Sequence, residues 1–281
     1  MRVYRCAPVR LLSRCTLNST WEPLHFPLRA LWAIFCSNRG LSSTQPQPKA
    51  PTPYAEALAV NDFTWLVTTS PRAYAATSKI LPPASNLIVT PGLHPEVADT
   101  KASELELLLA QIDASVAVGE VGLDGSSRYK AHYAVQLRIF QAVVSCCQAK
   151  GGRVLSVHSR SAADAVLDTL RQYPGFGLAV MHWFTDSPAS LRRASALGCW
   201  FSVGPAMLKS ANGRNLVSLM PRERVVPESD GPFGAVMGKP VMPWETGQVT
   251  DTLAELWTLP VAEVAQTLNA NGKRLIALMS N

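Results

Sequence analysis

From residue 54 to the C-terminus, short apolar runs alternate with longer stretches in which apolar residues recur every three or four positions. The short runs fall at 63–69, 86–90, 115–118, 153–157, 178–181, 199–203 and 224–226. Each is apolar on consecutive positions, as expected of a strand covered on both faces. The longer stretches, at 104–112, 133–149, 162–172, 188–197 and 213–220, carry a helical period. Strand then helix, repeated along the chain, predicts a parallel sheet, because a crossover helix brings each new strand back in the same direction. No Gly-x-Gly-x-x-Gly follows the first run, which argues against a dinucleotide fold. So many repeats favour a closed α/β architecture, a TIM-type (β/α) barrel. Segments 250–257 and 261–279 read as closing helices.

Residues 1–52 break this pattern. They are rich in Arg, Ser, Pro and Cys, nearly free of acid, and show no strand or helix period. Residues 45–53 read as an extended Pro-rich linker. The expected organisation is therefore a poorly ordered extension over 1–52 and one barrel domain over 53–281. An Arg- and Ser-rich start can be a transit peptide. Pro23, Pro27 and Glu22 break any long amphipathic helix there, which favours translated sequence that never belonged to the domain.

Charge narrows the picture. Of 26 basic and 20 acidic residues, the first 50 hold seven basic groups and one acidic group, so the remaining 231 residues balance at 19 of each. A net positive field over the folded body is excluded, and any contact with nucleic acid needs a local patch or bound cations. The longest apolar run, at 28–36, contains Arg29 and falls short of the ~20 residues that span a bilayer. No membrane segment is expected. Six cysteines form no Cys-x-x-Cys pair and no zinc-finger spacing, which reads as reduced thiols in a cytoplasmic protein.

Candidate chemistry falls at the strand ends. His94 follows the run at 86–90, Glu120 and Asp124 follow 115–118, His158 and His182 end the next two, and Glu228 and Asp230 follow 224–226. In a parallel barrel all these ends meet on one face, where barrel enzymes keep their active sites. One histidine at a strand end is more often packed than functional. Several imidazoles and carboxylates in one pocket are costly without a cation, and mixed N/O donors suit Mg²⁺, Mn²⁺ or Zn²⁺.

At these residues the sequence resembles the TatD family of metal-dependent deoxyribonucleases. The motifs are Gly92-Leu93-His94-Pro95, Gly119-Glu120-Val121-Gly122-Leu123-Asp124, Gln136 with Phe140, His158-Ser159-Arg160, His182-Trp183-Phe184, Phe201-Ser202-Val203-Gly204-Pro205 and Glu228-Ser229-Asp230-Gly231-Pro232-Phe233. More narrowly, Trp65-Leu66-Val67-Thr68-Thr69-Ser70-Pro71 and residues 198–214 resemble the TatD-like members of the Qat anti-phage defence systems. The resemblance implies two metal ions. Glu120, His158, His182 and Asp230 would be ligands, with Glu120 bridging. Glu120, Asp230 and His94 would be catalytic, Asp230 taking a proton from the attacking water. His94 and Arg160 would contact the scissile phosphate. Asp124 and Glu228 would orient ligands or loops from behind.

One departure stands out. The family's first strand ends in His-x-His, and no His-x-His occurs in this chain; His25 is alone in Pro-Leu-His-Phe-Pro. The first strand is therefore expected to be replaced or distorted, one metal site incomplete, and an edge of the barrel open. Hydrolysis of phosphodiester bonds in DNA, most simply single-stranded, is the expected activity, weakened by the missing ligands. Two alternatives stay open: an inactive barrel serving as a structural subunit among defence-system proteins, and a hydrolase of an amide or aminoacyl ester.

Overall fold

The computed structural model describes residues 31–38, 61–81, 84–231 and 233–279, and for residues 31–38 the backbone only. His25 and the linker at 45–53 lie outside the described residues.

Eight strands surround a shared core: β1 (Leu31–Asn38), β2 (Asn61–Thr68), β3 (Leu87–Thr90), β4 (Ala117–Gly122), β5 (Arg153–His158), β6 (Gly177–Met181), β7 (Trp200–Val203) and β8 (Val225–Pro227). Helices α1 (Pro71–Ile80), α2 (Leu105–Asp113), α3 (Tyr133–Ala149), α4 (Ala163–Gln172), α5 (Pro188–Ala196) and α6 (Ala211–Leu219) run between them, and α7 (Gly247–Trp257) and α8 (Val261–Met279) follow. From β4 to β8 every neighbouring pair is parallel, as is β2 with β3. The α/β class and parallel sheet follow the apolar runs, and α3 starts and stops where the helical period does.

The ladder is not continuous around the ring. It divides into a three-stranded sheet, β1-β2-β3, and a five-stranded sheet, β4 to β8. At the seam between β3 and β4, the Gly119 N–H donates to Pro91 O at 2.8 Å. Thr90 works on both sides of that seam. Its Oγ1 accepts from the Trp65 indole N–H at 3.0 Å and lies 3.3 Å from Gly119 O. The second seam is between β8 and β1, which lie side by side without a shared ladder.

β1 corrects the sequence reading. The absence of periodicity in residues 1–52 predicts no strand, yet Leu31–Asn38 forms one, and it pairs antiparallel with β2 (Leu31 opposite Thr68, Asn38 opposite Asn61). An otherwise open β2 edge is a template for any extended apolar segment, and pairing satisfies its exposed N–H and C=O groups. Helix α1 is a second correction. Its start signal is Ser70, whose side chain caps the Ala73 N–H at 3.2 Å, followed by Pro71 in the first turn.

Residues two apart on a strand share a face. Trp65, Ala117, Val154, Val180, Trp200 and Val226 pack together inside, closed off by Leu275 and Met279 of α8. Their neighbours, including Val118, Leu155, Met181, Phe201 and Val225, face the helices and form the larger core with Phe140, Leu167 and Leu216. Each such fully buried side chain contributes about 1.5–3 kcal/mol. Among the described residues no helix is long and apolar enough to cross a membrane.

Candidate metal centre

The inward face continues beyond the core. His158 lies four residues after Val154, and His182 and Glu228 each lie two after Val180 and Val226, so the same period that buries the valines points these side chains into the barrel mouth. Backbone bonds set their heights. The His182 N–H donates to Val157 O at 2.9 Å, the Glu228 N–H to Val203 O at 2.9 Å, and the His94 N–H to Thr69 O at 2.9 Å. Glu120 stands within β4 rather than after it.

Glu120 is the centre. Its Oε1 lies 3.2 Å from His158 Nδ1, 3.5 Å from His94 Nε2 and 3.9 Å from His182 Nε2. Asp230 Oδ1 lies 3.6 Å from His182 Nε2. His94, Glu120, His158, His182 and Asp230 are all buried. Arg160 reaches the rim of the same cavity, and Asp124 and Glu228 stand behind two of the rings. Asp124 Oδ2 lies 2.9 Å from His158 Nε2, and Glu228 Oε2 lies 2.7 Å from His182 Nδ1. Each ring thus has one nitrogen held by a carboxylate and the other turned toward Glu120. That arrangement fixes ring orientation and raises basicity in metal-ligating histidines.

His94 is held differently. Its Nδ1 accepts from the Glu96 N–H at 3.2 Å. In the neutral ring the proton therefore sits on Nε2, aimed at Glu120, and His94 is a donor at this site. Although His94, Glu120 and His158 offer atoms all within 4.8 Å of one another, a metal bond at His94 Nε2 would require the tautomer that the Glu96 N–H opposes.

The electrostatics fit a cation. Burial would raise the Glu120 carboxyl, but the imidazoles of His182, His94 and His158 hold it well below the usual carboxylate range. Burial also acts on Asp124, and the hydrogen bonds from His158 and Ser126 bring it down to about 2. For His158 and His182 burial works against the charge, but the carboxylates facing each ring raise both, His182 the more strongly. Asp230 is pushed well above its ordinary value, first by burial and then by Glu228 and Glu120. The raised His158, His182 and Asp230 mark a pocket that favours added positive charge. Glu120 Oε2 and Asp230 Oδ1 are buried and have no hydrogen-bond partner among the described residues, acceptors that a cation would satisfy.

Two glycines and a glutamine build the frame. A Cβ on Gly92 would fall 2.3 Å from both the Glu120 N and Thr68 O. Gly122 has φ +139, and a Cβ there would fall 2.0 Å from His158 O. Gln136 accepts from the Asp124 N–H at 2.7 Å and donates to Tyr129 O at 3.0 Å, fixing the loop that carries Asp124.

A profile of the TatD related DNase family matches residues 54–277. The chain belongs to the TatD-related DNase family. Among TatD relatives, the human protein named deoxyribonuclease TATDN3 is 27% identical over 166 residues, 58% of this chain and 60% of that one. A Mycobacterium tuberculosis protein named uncharacterized metal-dependent hydrolase TatD is 31% identical over 199 residues, 66% of this chain and 75% of that one. The 3'-5' ssDNA/RNA exonuclease TatD of Erwinia amylovora is 28% identical over 151 residues, 51% and 58% of the two chains. The chain thus spans less than two thirds of the human and Erwinia relatives' lengths. The crystal structure of YJJV, a TatD homologue from Escherichia coli K12, superposes with a TM-score of 0.63 at 24% identity, over 76% of this chain and 86% of that one, which supports the fold.

The site opens into a cavity of about 430 Å³ lined in part by His158, Arg160, His182, Trp183, Asp230 and Phe233. Sequence reasoning gave Trp183 and Phe233 no role. The available signal was an aromatic directly after His182 and another three residues after Asp230.

Proposed function

We propose that this TatD-family chain hydrolyses phosphodiester bonds, with single-stranded DNA as its substrate. The observation that carries the reading is one buried carboxylate, Glu120, within 3.2–3.9 Å of three imidazoles at the mouth of the barrel. Glu120, His158 through Nδ1, His182 through Nε2, and Asp230 would hold a divalent ion, Mg²⁺, Mn²⁺ or Zn²⁺. When bound, such an ion supplies charge stabilisation on phosphoryl oxygens and a lowered water pKa. His94, with its proton on Nε2, donates to a phosphoryl oxygen. Arg160 contacts the adjacent phosphate. Asp230 accepts the proton of the attacking water. Asp124 and Glu228 hold the imidazoles in register. The Erwinia relative's name supports a single-stranded substrate.

The proposal includes reduced activity. β1 (Leu-Trp-Ala-Ile-Phe-Cys-Ser-Asn) contains no histidine, so the described site offers ligands for one ion, and each lost transition-state contact costs ~10²–10³ in rate. A cytoplasmic location, read from the cysteine pattern, and a place in anti-phage defence, implied by the sequence resemblance, belong to the same proposal. The test is nucleotide release from single-stranded DNA with Mn²⁺ or Mg²⁺, against chelator and against aminoacyl esters. Slow, metal-dependent release confirms the reading; release unaffected by chelator overturns it. The histidine-free β1 also favours a second reading, an inactive structural subunit, which predicts no uptake of Mn²⁺ or Zn²⁺ by the purified chain.

A further inference from the structure

The cavity beside the metal centre is built from two aromatics and a cation on three separate strand-end loops. Trp183 follows His182 at the end of β6, Phe233 lies in the turn after β8, and Arg160 lies two residues beyond His158 at the end of β5. Phe233 is 51% exposed, a large apolar side chain at a pocket mouth rather than in a core. On either side of it, Asp230 has φ +54 and the Gly234 N–H donates to Asp230 O at 2.5 Å. Trp183 is half-buried at φ +38, a left-handed conformation that is unusual for a bulky residue. Its ring stands edge-on to His182, centroids 6.4 Å apart and planes at 77°. Arg160 is exposed, and its side chain makes no hydrogen bond or ion pair among the described residues.

Trp183 packs in part against the main core and also lines the cavity, and Phe233 leaves half of its surface exposed there. Holding them beside a site for phosphate chemistry suits a flat apolar ligand attached to a phosphate. We infer that Trp183 and Phe233 stack the unpaired base next to the scissile phosphate, while Arg160 holds the neighbouring phosphate. This rests on the phosphodiesterase reading and sharpens it. The enzyme would require the base to be out of its duplex, because a paired base has no free face to offer, and would tolerate any base, because stacking reads the face rather than the edge. The body carries no net positive charge, so base stacking has to supply a large share of the affinity.

Binding of labelled oligothymidylate to the full chain in chelator, compared with an abasic oligonucleotide of equal length, tests this without cleavage. Stacking is worth ~1–3 kcal/mol per base, so the thymidylate should bind roughly 5- to 150-fold more tightly. Trp183→Ala and Phe233→Ala, on separate loops, should each remove most of that preference. Trp183→Tyr should keep it, and Arg160→Ala should weaken both ligands equally. Equal binding of the two oligonucleotides by the unaltered chain, or an unchanged preference in both alanine variants, overturns the inference. If the unaltered chain still releases nucleotides with Mn²⁺ in that case, only the stacking assignment falls. If it neither binds nor cleaves, the phosphodiesterase reading falls with it.

Discussion

His158 meets Asp124 at 2.9 Å through Nε2 while its Nδ1 faces Glu120 at 3.2 Å. Both partners are carboxylates, which favours a proton on each ring nitrogen as long as no cation takes the Glu120 side. Asp124 then keeps the Nε2 proton and aims Nδ1 at the ion. Asp124→Asn should lower affinity for Mn²⁺ or Zn²⁺ ~10–100-fold while leaving the fold intact. Titration calorimetry measures it; unchanged affinity would show that the pair only supports the loop.

Protons and metal compete at this site, and the sign follows from the shifts. Folded His158, His182 and Asp230 bind protons more tightly than their unfolded counterparts. A raised pKa contributes stability that is complete below the unfolded value and lost as pH rises through the folded one. For the two histidines that loss begins above about pH 6.5; for Asp230 it begins above about pH 4. Asp124, depressed to about 2, acts oppositely and loses its contribution only in strong acid. Metal-free protein should therefore melt at progressively lower temperature as pH is raised from 6.5, whereas metal affinity should increase over the same range. A metal-free Tm that rises across that window would refute the coupling.

His94 carries its proton on Nε2 because Nδ1 is occupied by the Glu96 N–H. His94→Ala should retain bound metal and lose ~10²–10³ in kcat, as when one transition-state donor is removed. Glu120→Ala should lose the metal itself. Metal analysis of the two variants separates the roles, and loss of metal from His94→Ala would make that residue a ligand.

Gly122 and Gly151 both have positive φ, +139 and +79, but different surroundings. A Cβ at Gly151 meets nothing within 4 Å, whereas one at Gly122 would lie 2.0 Å from His158 O. Gly151→Ala should cost ~1–2 kcal/mol from backbone strain alone. Gly122→Ala should cost more, and it should also reduce metal affinity by forcing β4 and β5 apart between Glu120 and His158. Denaturant melts with and without Mn²⁺ check both; equal costs would mean that the strands yield freely.

Period and punctuation were enough for much of this protein. Consecutive apolar residues marked β5 and β6 as strands covered on both faces, a helical period marked α3, and strand direction then placed His158, His182 and Asp230 at one end, because parallel strands share their carboxyl edge. These are local properties, set by how side chains alternate on a strand or helix. Three features required the tertiary structure. β1 lies antiparallel to β2 because an unpaired sheet edge accepts any extended segment, a choice that no periodicity within Leu31–Asn38 records. The pairing of Asp124 with His158 and of Glu228 with His182 joins residues 34 and 46 apart in sequence. It depends on strand register, where a slip of one residue would turn each side chain to the other face. The same register brings Trp183 and Phe233 to one cavity, since a sequence names the residues on each loop but only packing decides which loops meet.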